Sequence, residues 1–210
     1  MKNTRIMLIA GLLIGAMLTV PSAHAQMGIS NDGLEFPDGS VQTTAAVSQA
    51  LYAIGDTGPA GGFVFHITDN GLHGLEAAPV DQSFGGTFNI PWGCYGTNIV
   101  GANAVALGKG ARNTDDILHG CETPGIAAAV ADGYVSPSGY YDWYLPSKDE
   151  LNKMYTELHL NSLGGFASHR IYWSSSEYNV NSAWWQWFSS GDQFGSVKEF
   201  SGGVRAVRAF

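Results

Sequence analysis

Apolar and polar positions alternate along this chain with periods that change several times, and each change predicts an element. Phe63-Val64-Phe65-His66-Ile67 is a run of strand formers, and Thr68-Asp69-Asn70-Gly71 carries turn residues. With Leu72 to Ala77 returning, the pattern predicts a β-hairpin. Gly55-Asp56-Thr57-Gly58-Pro59-Ala60-Gly61 is too short for a collagen-like triple helix and reads as a glycine turn entering that strand. Residues 81–112 mix Gly, Asn and aromatics, predicting long loops with short strands. Asn113 is a candidate N-cap for a short helix, with Asp115 and Asp116 near its start and Ile117, Leu118 and Cys121 on its inner side. Thr123-Pro124 predicts a second helix running through Ala131 and ended by Gly133.

Ser147-Lys148-Asp149-Glu150 is a capping box, and Leu151, Met154, Tyr155 and Leu158 follow at helical spacing as one apolar face. The last third is strand-like. Strands are expected at 171–177, 182–188, 197–200 and 204–210, with Gly191-Asp192 as a turn.

The N-terminus differs in kind. Lys2 and Arg5 precede an apolar stretch from Ile6 to Val20, Pro21 breaks it, and Ala23-His24-Ala25 is a small-x-small cleavage site. Residues 1–25 therefore read as a secretory signal peptide. The apolar run is short for a ~20-residue membrane span, and no second run is longer. No membrane insertion is expected after signal removal. Residues 26–51 read as a connector or oligomerisation segment, with Phe36-Pro37-Asp38-Gly39 as a strong turn. Gly33 to Ala45 resembles a short element at the N-terminal side of many bacterial surface and phage-fibre-like proteins. Residues 52–210 form the main domain.

Charge narrows the partners. Loss of Lys2 and Arg5 with the signal takes the formal net charge from −8 to −10. The remaining basic residues are scattered, so no nucleic-acid partner is expected, because phosphate binding needs clustered cations. The same reasoning weighs against sulfated polysaccharides. Cys94 and Cys121 are the two cysteines. In an oxidising compartment such a pair forms a disulfide, and the alternative is a metal site with His119 that lacks a convincing fourth ligand. His66, His73 and Asp69 could also approach a metal, but paired strand histidines are more often ordinary surface residues. No metal and no cofactor is expected.

Catalytic motifs are missing. There is no Gly-x-Ser-x-Gly elbow, His-Glu-x-x-His pair, P-loop or dinucleotide fingerprint. Ser174, Ser175 and Ser176 are adjacent hydroxyls, and His159 or His169 could reach them only through the fold. The expectation is a protein that is not an enzyme.

Several blocks then line up in order: Ile54 to Pro59, Gly74 to Pro79, Trp92 to Gly96, Asp142 to Ser147 with Glu150-Leu151, Tyr172 to Glu177, Ala183-Trp184 with Phe188, and Val204 to Phe210. Together they resemble the C-terminal domain of the Legionella collagen-like adhesin family, over roughly residues 52–210. The resemblance implies an α+β, C-type-lectin-like domain with short helices, small antiparallel sheets and long loops. It also implies surface adhesion and, from the namesake, a homotrimer and glycosaminoglycan binding. The collagen-like region is missing here, so trimerisation would need another source. The expected function is an exported adhesin-like binding module, at the cell surface or secreted, with the periplasm as the alternative. Its partner would be a host or environmental glycan or a surface protein. A structural fibre-tip or assembly domain is the alternative.

Period-two alternation divides the aromatic strand. Trp184, Gln186 and Phe188 share one face, and the family pattern assigns Trp184 and Phe188 to the core. Trp185 and Trp187 share the other and are the candidate ligand-binding pair, unless the loops of residues 81–112 cover them. Arg205 and Arg208 are expected to pair with carboxylates such as Asp142 or Glu177.

Overall fold

The computed structural model describes residues 28–30, 33–35, 40–42 and 50–210. The chain divides at Ser48/Gln49 into two units. The described part of the first is a three-stranded antiparallel sheet, β1 (Gly28–Ser30), β2 (Gly33–Glu35) and β3 (Val41–Gln42), in the order β1-β2-β3. The expected signal peptide over residues 1–25 and the expected turn from Phe36 to Gly39 lie outside the described residues.

The second unit is mixed α and β. The expected hairpin is present as β4 (Phe63–Thr68) and β5 (His73–Ala77), with Thr68 opposite His73. Asp69, Asn70 and Gly71 all take positive φ between them. A Cβ at Gly71 would strike the Tyr52 carbonyl, so the close approach of that strand end requires glycine. β6 (Ile90–Pro91) follows, and then three short helices: α1 (Gly110–Gly120), α2 (Ala127–Asp132) and α3 (Lys148–Glu157). The chain ends in β7 (Ile171–Asn179), β8 (Ser182–Trp187), β9 (Gln193–Val197), β10 (Ser201–Gly202) and β11 (Val207–Ala209). Three small antiparallel sheets result, ordered β11-β5-β4, β7-β8-β9 and β10-β6. No helix among the described residues is long and apolar enough to cross a membrane.

Two core clusters lie on either side of β7. Trp173 belongs to one with Trp92, Trp143, Trp185, Ile117 and Ile126. Its neighbour Tyr172 belongs to the other with Phe65, Leu151, Met154, Leu158 and Phe188. Adjacent strand residues point to opposite faces, so one dipeptide ties both clusters together.

Three sequence expectations are corrected. Helix α1 starts at Gly110, not after an Asn113 cap. Asn113 is buried inside it, and its Nδ2 donates to the Ala104 carbonyl at 2.6 Å. Helix α2 begins at Ala127 because Pro124-Gly125 is a turn, with Gly125 at positive φ. The third strand of the last sheet is 193–197, not 197–200. The capping box at Ser147 and Glu150 is present, and the apolar face of α3 is buried at Leu151, Met154 and Leu158.

Candidate functional site

The aromatic strand β8 is the centre of its sheet, so both faces have neighbours. On one face Trp184, Gln186 and Phe188 lie toward α3. Gln186 is wholly buried, and its Nε2 donates to Asn152 Oδ1 at 2.9 Å. Trp184 is half-buried rather than core. Its ring meets that of Tyr178 at 4.9 Å, and the Lys148 ammonium lies 4.9 Å from its centroid. Phe188 is the core member, at the hub of a cluster with Tyr155, His159, Phe166 and Tyr172.

On the other face the expected exposed pair is split. Trp185 is buried at 8% exposure, and Trp187 is exposed at 42%. Trp185 packs against Trp173 at 5.0 Å, Phe194 at 5.4 Å and Phe200 at 6.4 Å. The register explains it: β9 sets Phe194 directly opposite Trp185, and cross-strand aromatics bury one another. Trp185 is therefore not a free platform residue. Phe194 (38%) and Phe200 (55%) are exposed over Trp185, and Trp187 is exposed two residues along the same strand. The indole Nε1 of Trp185 is buried without a hydrogen-bond partner. The sequence reasoning missed Phe194 and Phe200; alternation along β8 could not reveal residues contributed by a different strand.

Cys94 and Cys121 form a disulfide with a Cα–Cα separation of 5.8 Å. His119 turns instead to its own helix, with Nδ1 2.7 Å from the Asp115 carbonyl. Among the described residues no three His, Cys, Asp or Glu side chains gather as a metal site.

The three serines of β7 are wholly buried. Ser174 Oγ donates to the Trp184 carbonyl at 2.8 Å, and Ser176 Oγ donates to that of Ala104 at 2.7 Å. Asn113 Nδ2 donates to Ser175 Oγ at 3.3 Å. The first bond spans the irregular part of the β7–β8 pairing, and the other two tie β7 to the Ala104 loop and to α1.

Buried ion pairs fix the loops around the sheets. Arg208 pairs with Asp142, as expected, and also with the wholly buried Glu76 at 2.9 Å. Arg205 pairs with Asp81 at 2.7 Å, a partner the sequence did not suggest. Its Nη1 also donates to the carbonyls of Ala78 and Gly164. Arg170 and the Tyr172 hydroxyl both donate to the second oxygen of Asp81, at 3.3 and 3.0 Å. Burial pushes that hydroxyl's pKa up to about 12. Glu177 pairs with Lys198, not with an arginine. A cleft of about 550 Å³ opens beside Asp81, Arg170 and Phe88. A second, of about 410 Å³, opens beside Tyr141 and Asp142.

No protein-family model and no curated protein sequence matches this chain.

Proposed function

We propose that this chain is an exported, adhesin-like binding module with a C-type-lectin-like domain. In this reading it is related to the C-terminal domain of the Legionella collagen-like adhesins and recognises glycan or protein through the β7-β8-β9 face. The observation that carries the reading is the pair Phe194 and Phe200, exposed over the buried Trp185, with Trp187 exposed two residues further along the same strand. Exposed aromatic area with an indole N–H suits sugar rings and protein interfaces. The disulfide supports export, because such bonds persist in oxidising compartments. The Ser174 and Ser176 hydroxyls are buried and engaged with main-chain carbonyls, which weighs against either as a nucleophile.

A glycan array with the mature chain, followed by a cell-adhesion assay, tests this. Binding is expected, and Trp187→Ala with Phe200→Ala should weaken it. Binding unchanged in that double variant would sink the reading. Light scattering with and without residues 26–51 separates it from the assembly alternative, which requires an oligomer that depends on that segment.

A further inference from the structure

We infer that the cleft formed by Ser138, Gly139, Tyr140, Tyr141, Asp142 and Arg208 is a second binding site, one for a neutral sugar with adjacent hydroxyl groups. The inference rests on the glycan reading above but uses none of the residues of the aromatic face.

The acceptor is preorganised. Arg208 grips Asp142 as a fork, Nε to Oδ1 at 2.8 Å and Nη2 to Oδ2 at 2.9 Å. The guanidinium cannot swing away, because its Nη1 donates to Glu76 at 2.9 Å and the Tyr140 ring lies 4.3 Å from it. Glu76 is itself fixed by the backbone N–H groups of Ala60 and Gly62, at 3.0 and 2.9 Å. The fork occupies one lone-pair direction on each Asp142 oxygen and the residue's own N–H also reaches the carboxylate, which keeps further acceptor capacity on a side chain that is 55% exposed. Two fixed acceptors one carboxylate width apart match the donors of two neighbouring sugar hydroxyls. Fixing them in advance lowers the ordering cost of binding.

Tyr141 adds the apolar half. It is 78% exposed, the most exposed aromatic side chain among the described residues. A pyranose ring has C–H-rich apolar area that packs on such a surface. Charge selects the class of sugar. Arg208 carries one positive charge against the two carboxylates of Glu76 and Asp142, so the site is net negative. Uronates and sulfated sugars are repelled, and neutral sugars are not.

Saturation-transfer NMR on the mature chain tests this with methyl glycosides of galactose, mannose, glucose and fucose, and with galacturonate as the anionic control. At least one neutral glycoside should bind, galacturonate should not, and Tyr141→Ala and Asp142→Asn should each weaken binding at least tenfold. Tyr141→Ala removes a ring outside both cores, so its loss of binding would not report misfolding. No neutral glycoside bound, equal binding of galacturonate, or wild-type binding in Tyr141→Ala would each overturn the inference. Trp187→Ala separates the two sites. Sugar binding lost there but kept in Tyr141→Ala would leave the aromatic-face reading standing and remove this one.

Discussion

Glu150 joins the starts of two helices through its contact with Gly108. One carboxylate oxygen accepts the Gly108 N–H at 2.7 Å and that of Gly110 at 3.4 Å, at the N-terminus of α1. The other accepts the Ser147 N–H at 2.8 Å, closing the capping box of α3. The side chain is wholly buried, and burial pushes its carboxyl above the usual range while these N–H groups pull it back. A Cβ at Gly110 would run into this carboxylate, which is why the helix opens on glycine.

Glu150→Ala should therefore cost more than one ordinary cap. Three N–H groups lose their acceptor at ~1 kcal/mol each, for about 3 kcal/mol in urea denaturation. The neighbouring Asp149→Ala, on a side chain 46% exposed, should stay within ~0.5 kcal/mol. Equal losses would refute the double-cap account.

Lys198 and Glu177 form an ion pair with side chains 0% and 4% exposed. Lys198 also donates to the Thr97 carbonyl at 2.7 Å, and Glu177 accepts the Ile99 N–H at 3.0 Å. Lys198→Met leaves a buried carboxylate without its cation and should cost ~3–5 kcal/mol. The double variant Lys198→Met with Glu177→Gln should recover part of that loss. A double variant as unstable as the sum of the singles would show that the two side chains act independently.

Trp185 and Trp187 should behave as opposites. Trp185→Ala empties a packed aromatic position and should cost ~3–5 kcal/mol by thermal or urea unfolding. Trp187→Ala should leave the midpoint nearly unchanged while reducing adhesion. A large stability loss at Trp187 would place it in the core instead.

Removing the disulfide should expose how much it contributes. Cys94 and Cys121 are 27 residues apart in sequence, and closing such a loop is worth ~3–4 kcal/mol. Cys94→Ala with Cys121→Ala, or reduction of the wild type, should lower stability by similar amounts. A reductant effect that persists in the double variant would point elsewhere.

Acid should weaken the Arg208 clamp. The hydrogen bond from Arg208 holds the Asp142 carboxyl below the usual carboxylate range, against an opposing effect of burial. Its folded pKa lies below its unfolded one. The resulting stability is thus fully present above the unfolded value, about 4, and is lost as pH falls through the folded value. Urea midpoints between pH 6 and 2 should show Asp142→Asn with a shallower acid slope than the wild type. Parallel slopes would exclude Asp142 as a source of acid sensitivity.

Local physics alone determined several features of this protein. The β4–β5 hairpin, the capping box at Ser147, the apolar face of α3 and the pairing of Cys94 with Cys121 all follow from residues close in sequence or from simple counting. Period-two alternation grouped Trp185 with Trp187, but it did not foresee that one would be buried and the other exposed. Tertiary structure decided what the sequence period cannot contain: which face is covered, and by what. Phe194 reaches Trp185 only through the β8–β9 register. The start of α1 depends on a carboxylate 40 residues away from Gly110. Asp81 meets Arg205 across 124 residues. Alternation gives direction, but burial depends on the neighbour that arrives, and that neighbour comes from distant chain.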